Sequence, residues 1–413
     1  MSGLRIGRRN RLVLLTAAFL AVHAVLSLVN VLDTAHNPAG DVTGVYRFWI
    51  DYWRQTGQLV GIDTEWVYPI GALPPMLLAG VLGGDAYLWT WLVLVALLDA
   101  GATVLLVRRR ESLAWWWIAF TALLGPVALS RIDAVALPLA IAAVLQLSSR
   151  PGAASVLLTL AAWVKVWPAA IVAAMLVVLR RPSAVIAGAA VTSAVVLGLA
   201  ALAGARGTLL SFVTAQADRG LQIEAPAAVP WLWSAALGDG GVQVYYDTGI
   251  LTYQLRGDGV ATVAGLMTPV LVVGVLAVVG LALAARLRGA EPVLLLAVTS
   301  LGLVSAVIAL NKVGSPQYLT WYVAPVLLGL LADPVRFRGV GVATLVAAGL
   351  TQLVYPWFYG GVIGTEPWIL AVLTVRDAMQ IGLLVWCLVA LAALRPPTAS
   401  RSGAPSVEDA LRG

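Results

Sequence analysis

The sequence predicts an all-α polytopic membrane protein, and three observations carry that expectation. Apolar residues make up 61% of the 413 and charged residues only 11%, whereas a soluble domain carries roughly a quarter charged residues. Apolar runs of about 20 residues, the length of a membrane-spanning helix, recur along almost the whole chain. The basic residues punctuate the ends of those runs, as topology signals do. The net charge of +6 therefore implies no nucleic-acid groove. A single cysteine, Cys387, excludes an intrachain disulfide.

The arginines order the elements. Clusters stand at Arg5, Arg8, Arg9 and Arg11, at 108–110, at Arg150, at 180–181, at Arg286 and Arg288, at Arg336 and Arg338, and at Arg395, Arg401 and Arg412. Placing all of them in the cytoplasm leaves two spans between each consecutive pair. A bundle of about twelve helices is expected, near 11–32, 86–107, 113–130, 134–148, 152–166, 168–180, 183–204, 259–285, 291–310, 317–333, 339–357 and 370–394, with both ends inside. No small-residue cleavage site follows the first run, so it reads as an uncleaved helix. Residues 1–394 form one transmembrane domain in this reading, and the small, polar tail 395–413 is disordered.

Two long external segments remain, 33–85 and 205–258, and they collect most of the other ionisable residues: Asp41, Asp51, Glu65, Asp218, Arg219 and Glu224. Asp133, Lys165 and Lys312 fall at outer helix ends. Polar groups gathered on one side suggest a site opening there. Residues 45–57, VYRFWIDYWRQTG, fit an amphipathic helix lying in the interface plane. Val45, Trp49, Tyr52 and Trp53 make its apolar stripe, and Arg47 can pair with Asp51 one turn on. Residues 67–83, with prolines at 69, 74 and 75, read as a dipping or interfacial element. Arg131 and Asp133 are expected to pair with each other. Asp99, Arg376 and Asp377 are costly inside lipid and should pair with each other or face the bundle interior. With His23 and His36 the only histidines, no His-based metal site is read. No phosphate-cradling glycine loop or nucleotide fold is found, and no cofactor is expected.

The stretches GDVTGVYRFW, VYPIGALPP, AAWVKVWPAAI, ADRGLQIEAPAAVPWLW and NKVGSPQYLTWYVAPVL resemble the GT-C superfamily of membrane glycosyltransferases, and most closely glycosyltransferase family 87. Two stretches depart from that pattern. Tyr68-Pro69-Ile70 stands where Tyr-Pro-Pro is commoner, and Ser130-Arg131-Ile132-Asp133 replaces a Gly-Gln and Asn signature. The resemblance implies a GT-C-like bundle in the cell membrane with its active site on the external face. It implies a sugar, mannose first, moved from a polyprenyl-phosphate donor to a cell-envelope glycolipid or polysaccharide. Alternatives are arabinofuranosyl transfer and a non-enzymatic transporter or flippase of lipid-linked sugars.

By the same resemblance Asp41 is the catalytic base; on sequence alone the helix N-cap is read ahead of it. The donor phosphate needs cations, and Arg219, Lys312, Lys165 and Arg131 are the candidates. Each has a structural alternative, an ion pair for Arg219 and Arg131 and an interfacial snorkelling lysine for the other two. Tyr46, Tyr68, Glu224, Gln317, Tyr318 and Trp321 complete the substrate-binding candidates, with an aromatic belt as the competing reading of the rings.

Overall fold

The computed structural model describes residues 7–205, 207–214 and 219–396. Asp218, Arg401, Arg412 and most of the expected tail lie outside the described residues. Among those described, seven helices are long and apolar enough to cross a bilayer: Arg8–Leu32, Tyr87–Arg109, Ser183–Leu202, Val260–Leu287, Pro292–Ala309, Pro334–Trp357 and Pro367–Ala393. Burial sorts them. In Pro292–Ala309, 83% of the apolar window is buried, whereas in Val260–Leu287 only 11% is. A helix apolar all round and enclosed by protein is the bundle's axis; one equally apolar but uncovered faces lipid.

The other expected spans are helices of reduced length. Residues 113–130, 134–148, 152–166, 168–180 and 317–333 hold Glu111–Leu124, Asp133–Val144, Pro151–Val164, Ala169–Val178 and Val323–Ala332. At 10 to 14 residues each, they rise roughly 15–20 Å against a hydrocarbon core of about 30 Å. Local chemistry truncates them. Gly125, at φ 75, turns the chain out of Glu111–Leu124 into a short 3-10 turn with Pro126 at its start. Lys165 is extended beyond Val164, and Pro168 precedes the next helix. Proline disfavours helical geometry in the residue before it.

The amphipathic segment is helical, but it begins earlier than its pattern suggested. A π-helical turn, Asp41–Tyr46, runs without a break into the α-helix Arg47–Thr56. Arg47 pairs with Asp51 at 3.3 Å, as expected. The buried stripe is Val42, Tyr46 and Ile50, while Trp53 and Phe48 are exposed. This corrects the stripe read from sequence: Tyr46 packs against Trp91 at 5.3 Å, and that contact sets which face turns inward. The 67–83 stretch contains a 3-10 turn, Ile70–Ala72, and a short helix, Leu73–Ala79.

The second long segment between expected spans adds two short strands to a mostly helical protein. Gln243–Asp247 and Thr252–Arg256 form an antiparallel hairpin, and Leu221 and Ile223 add backbone bonds to its second strand. The loop after Pro292–Ala309 docks here, with Gln222 N–H donating to the Lys312 carbonyl at 3.0 Å. Gly314 is needed for that approach, since any Cβ would run into the Glu224 backbone. Leu221, Ile223, Leu232 and Leu255 share an apolar cluster with Leu370 and Leu373 of the last helix, fastening the segment to the bundle.

This arrangement places Gln55, an exposed residue of Arg47–Thr56, far from Arg109, at the other end of Tyr87–Arg109. A cysteine at Gln55 is expected to react with an impermeant thiol reagent in intact cells, and Arg109→Cys to be protected. Buried Cys387 contributes little background. The opposite labelling pattern would invert the orientation.

Candidate functional site

Local backbone sets the first carboxylate. After Arg8–Leu32 the chain turns through Asn37, in the left-handed region at φ 43, and buries Pro38 and Ala39 before Asp41 opens the π-turn. The N-cap of that turn is Gly40, so Asp41 stands inside the helix rather than at its cap. Instead its Oδ2 lies 3.2 Å from Arg131 Nε. The expected Arg131–Asp133 pair is thereby corrected. Residues two apart at a helix start point in different directions, and Arg131 turns toward Asp41 while Asp133 turns toward Trp321.

Arg131 is buried, and its remaining donors hold three chain segments together. Nη1 donates to the carbonyls of Pro38 and Ser130, and Nη2 to the Tyr355 hydroxyl at 2.8 Å. Most of the fork is therefore engaged by protein, and Arg131 is better placed to orient Asp41 than to hold a phosphate. Asp41 itself keeps 34% of its side chain exposed against 5% for Arg131, leaving a carboxylate anchored at one edge and open at the other.

Around this pair stands a wall of rings. Ile132 N–H donates to the Tyr46 hydroxyl at 3.1 Å. Tyr46, Trp49, Trp66 and Tyr68 meet at ring separations of 5.3 to 6.1 Å. Lys165 Nζ sits over the Tyr68 ring, 4.5 Å from its centroid, an attractive cation–π geometry. Burial, reinforced by the charge of Asp41, holds the Tyr68 phenol well above the usual tyrosine range, so it stays a donor. Asp133 and Arg219 are the leading charges acting on Lys165, followed by Asp41 and Arg131. Lys165, Asp133 and Arg219 thus share one electrostatic neighbourhood with Asp41 and Arg131. Arg219 Nε is buried with no hydrogen-bond partner among the described residues.

The other candidates divide. Trp321 Nε1 donates to Asp133 Oδ1 at 2.6 Å, and Tyr318 stacks on Trp321 at 4.0 Å, so both rings join the cluster. Gln317 is turned into its own loop, where Oε1 accepts from Ser315. Lys312 is tied through its backbone to Gln222. Glu224 is committed elsewhere: Arg376 Nη1 reaches its Oε2 and Nη2 its carbonyl, both at 2.9 Å, and Arg376 also pairs with Asp377.

Two cavities flank the bundle. One of about 450 Å³ lies at the arginine-rich end, lined by Arg109, Arg110 and Glu291 among apolar side chains, a helix length away from Asp41. The other, of about 430 Å³, is an apolar groove between Val22, Val25 and Val29 on one side and Gln352 and Trp357 on the other. It reaches Pro126, whose carbonyl accepts from Asn30 and from Ser130 beside Arg131. Among the described residues no three His, Cys, Asp or Glu side chains form a metal cluster.

A family model for glycosyltransferase family 87 matches residues 66–310, more than half of the chain. The protein belongs to glycosyltransferase family 87. No curated protein matches it and no solved structure does. As a family 87 protein with seven candidate spans it is a membrane glycosyltransferase. The matched part contains Tyr68, Arg131, Asp133, Lys165, Arg219 and Glu224, whereas Asp41, Tyr46, Lys312, Gln317, Tyr318 and Trp321 lie outside it. Contacts, not sequence proximity, bring Asp41 and Trp321 onto the matched part. Sequence reasoning assigned no site role to Asp133, Trp167 or Tyr355; a carboxylate opening an apolar helix was the available signal for the first, and nothing local marked the other two.

Proposed function

We propose that the protein transfers mannose from a polyprenyl-phosphate donor to a cell-envelope glycolipid or polysaccharide on the external face, with Asp41 as general base. The observation that carries this is the one-third-exposed Asp41 carboxylate fixed by buried Arg131, in one neighbourhood with the cations Lys165 and Arg219. The acceptor hydroxyl gives its proton to Asp41 as its oxygen bonds to the anomeric carbon. The bond from that carbon to the phosphate oxygen breaks, and polyprenyl phosphate leaves with the electron pair. Lys165 and Arg219 meet the charge that develops there. The apolar groove ending near Pro126 suits an isoprenoid tail. The arginine-rich end is read as cytoplasmic. The five shortened helices are read, with the seven long ones, as a twelve-segment plan.

The test is product analysis. Purified protein in liposomes, given polyprenyl-phosphate mannose and an envelope glycolipid, should release polyprenyl phosphate and yield a mannosylated lipid by mass spectrometry. Transfer from a nucleotide sugar alone would overturn the donor assignment. Replacing Lys165 or Arg219 with Gln is expected to slow turnover roughly 100-fold to 1,000-fold, the scale of losing one charge-stabilising donor. Unchanged turnover in both variants would remove them from the phosphate site.

A further inference from the structure

We propose that Asp133 and Trp167 together recognise one hydroxyl of the transferred sugar; this rests on the glycosyltransferase reading above and extends it from charge to sugar identity. Asp133 is 1% exposed and Trp167 4%. Asp133 Oδ1 is met by Trp321, but its Oδ2 is buried with no hydrogen-bond partner among the described residues. Trp167 lies nearly parallel to Trp321, with centroids 6.3 Å apart at 13°, and its Nε1 is likewise buried without a partner. An acceptor and a donor therefore stand unmet on two side chains that both pack against Trp321.

The chemistry of the missing partner is narrow. A hydroxyl has one proton to give and lone pairs to receive, so one group answers both atoms. Phosphate would be repelled by Asp133, an ammonium has nothing to accept the indole proton, and an apolar group would leave both polar atoms unsatisfied. The Tyr318–Trp321 stack supplies an aromatic surface for a pyranose beside them. Asp133 also lies two residues from Arg131, Asp41's partner, and its strongest charge neighbour is Lys165. The proposed base's anchor and a proposed phosphate ligand are therefore both neighbours of Asp133, as recognition of the donor's ring requires.

The experiment compares wild type, Asp133→Ala, Asp133→Asn and Trp167→Phe on polyprenyl-phosphate mannose and its four singly deoxygenated analogues, with melting temperatures alongside. Sites that hydrogen-bond a substrate hydroxyl reject the analogue lacking it strongly. Wild type should discriminate against one deoxy donor by about 100-fold or more in kcat/KM. Asp133→Ala and Trp167→Phe should lower turnover of the full donor and shrink the discrimination at that position alone, with Asp133→Asn intermediate. Variants that slow all five donors equally assign a structural role and overturn the proposal. So does a wild type indifferent to every deoxygenation, which would mean a buried water bridges the two atoms. If wild type transfers nothing, the function proposed above fails separately, and tryptophan-fluorescence titration with the same glycosyl lipids decides this inference. Binding that discriminates one hydroxyl and loses that discrimination in Asp133→Ala upholds it; equal binding by both proteins overturns it.

Discussion

Replacing Asp41 with Asn is expected to lower glycosyl transfer roughly 100-fold or more with little change in melting temperature. Asn matches Asp in size, and its amide oxygen can still lie against Arg131, so the contact at 3.2 Å survives in neutral form. What Asn cannot do is take the acceptor's proton. The stability cost is limited because the Asp41 side chain is one-third exposed and buried Arg131 keeps its hydrogen bonds to Pro38, Ser130 and Tyr355. No capping bond is lost, since Gly40, not Asp41, holds the N-cap position. The measurement is transfer from polyprenyl-phosphate mannose beside a melting curve for each protein. An Asn variant with near-normal turnover would sink the base assignment, while a variant that melts early would point to a structural carboxylate.

Replacing Arg376 with Met should destabilise the protein by about 3–5 kcal/mol, the range for removing one partner of a buried ion pair. The Arg376 side chain is 1% exposed, and its partners Glu224 and Asp377 are 4% and 3% exposed. Without the guanidinium, two carboxylates face each other in an apolar setting, and the segment around Glu224 loses its polar tie to the last helix. Restoring neutrality should recover much of the loss: Arg376→Met with Glu224→Gln and Asp377→Asn should be more stable than Arg376→Met alone. Denaturation in detergent, followed by near-ultraviolet circular dichroism, reads both variants. A single variant as stable as wild type would show that water reaches these carboxylates.

Periodicity and charge made part of this protein legible. The amphipathic helix after the first span, its Arg47–Asp51 pair and the placement of apolar helices all follow from interactions within a few residues. The hairpin Gln243–Asp247 and Thr252–Arg256 also left a local trace that was not read: VYYDTGILTYQL carries β-branched and aromatic residues on both sides of a turn, the composition of paired strands. Helix lengths were less legible, because a run of apolar residues continues through prolines and glycines that end the helix, as at Gly125 and Pro168.

The site was legible as a set of residue types but not as a set of contacts. Sequence by itself determined a membrane-embedded helical protein, and it collected Asp41, Arg131, Lys165, Arg219 and Trp321 as polar or aromatic residues sharing one side. Tertiary structure alone decided which of them meet. Arg131 stands two residues from Asp133 yet pairs with Asp41, 90 positions away in the chain, and Glu224 is claimed by Arg376, 152 positions away. The reason is physical: burying an ion obliges it to find a partner, but which partner it finds depends on how helices distant in sequence pack, and packing is settled by the whole apolar core.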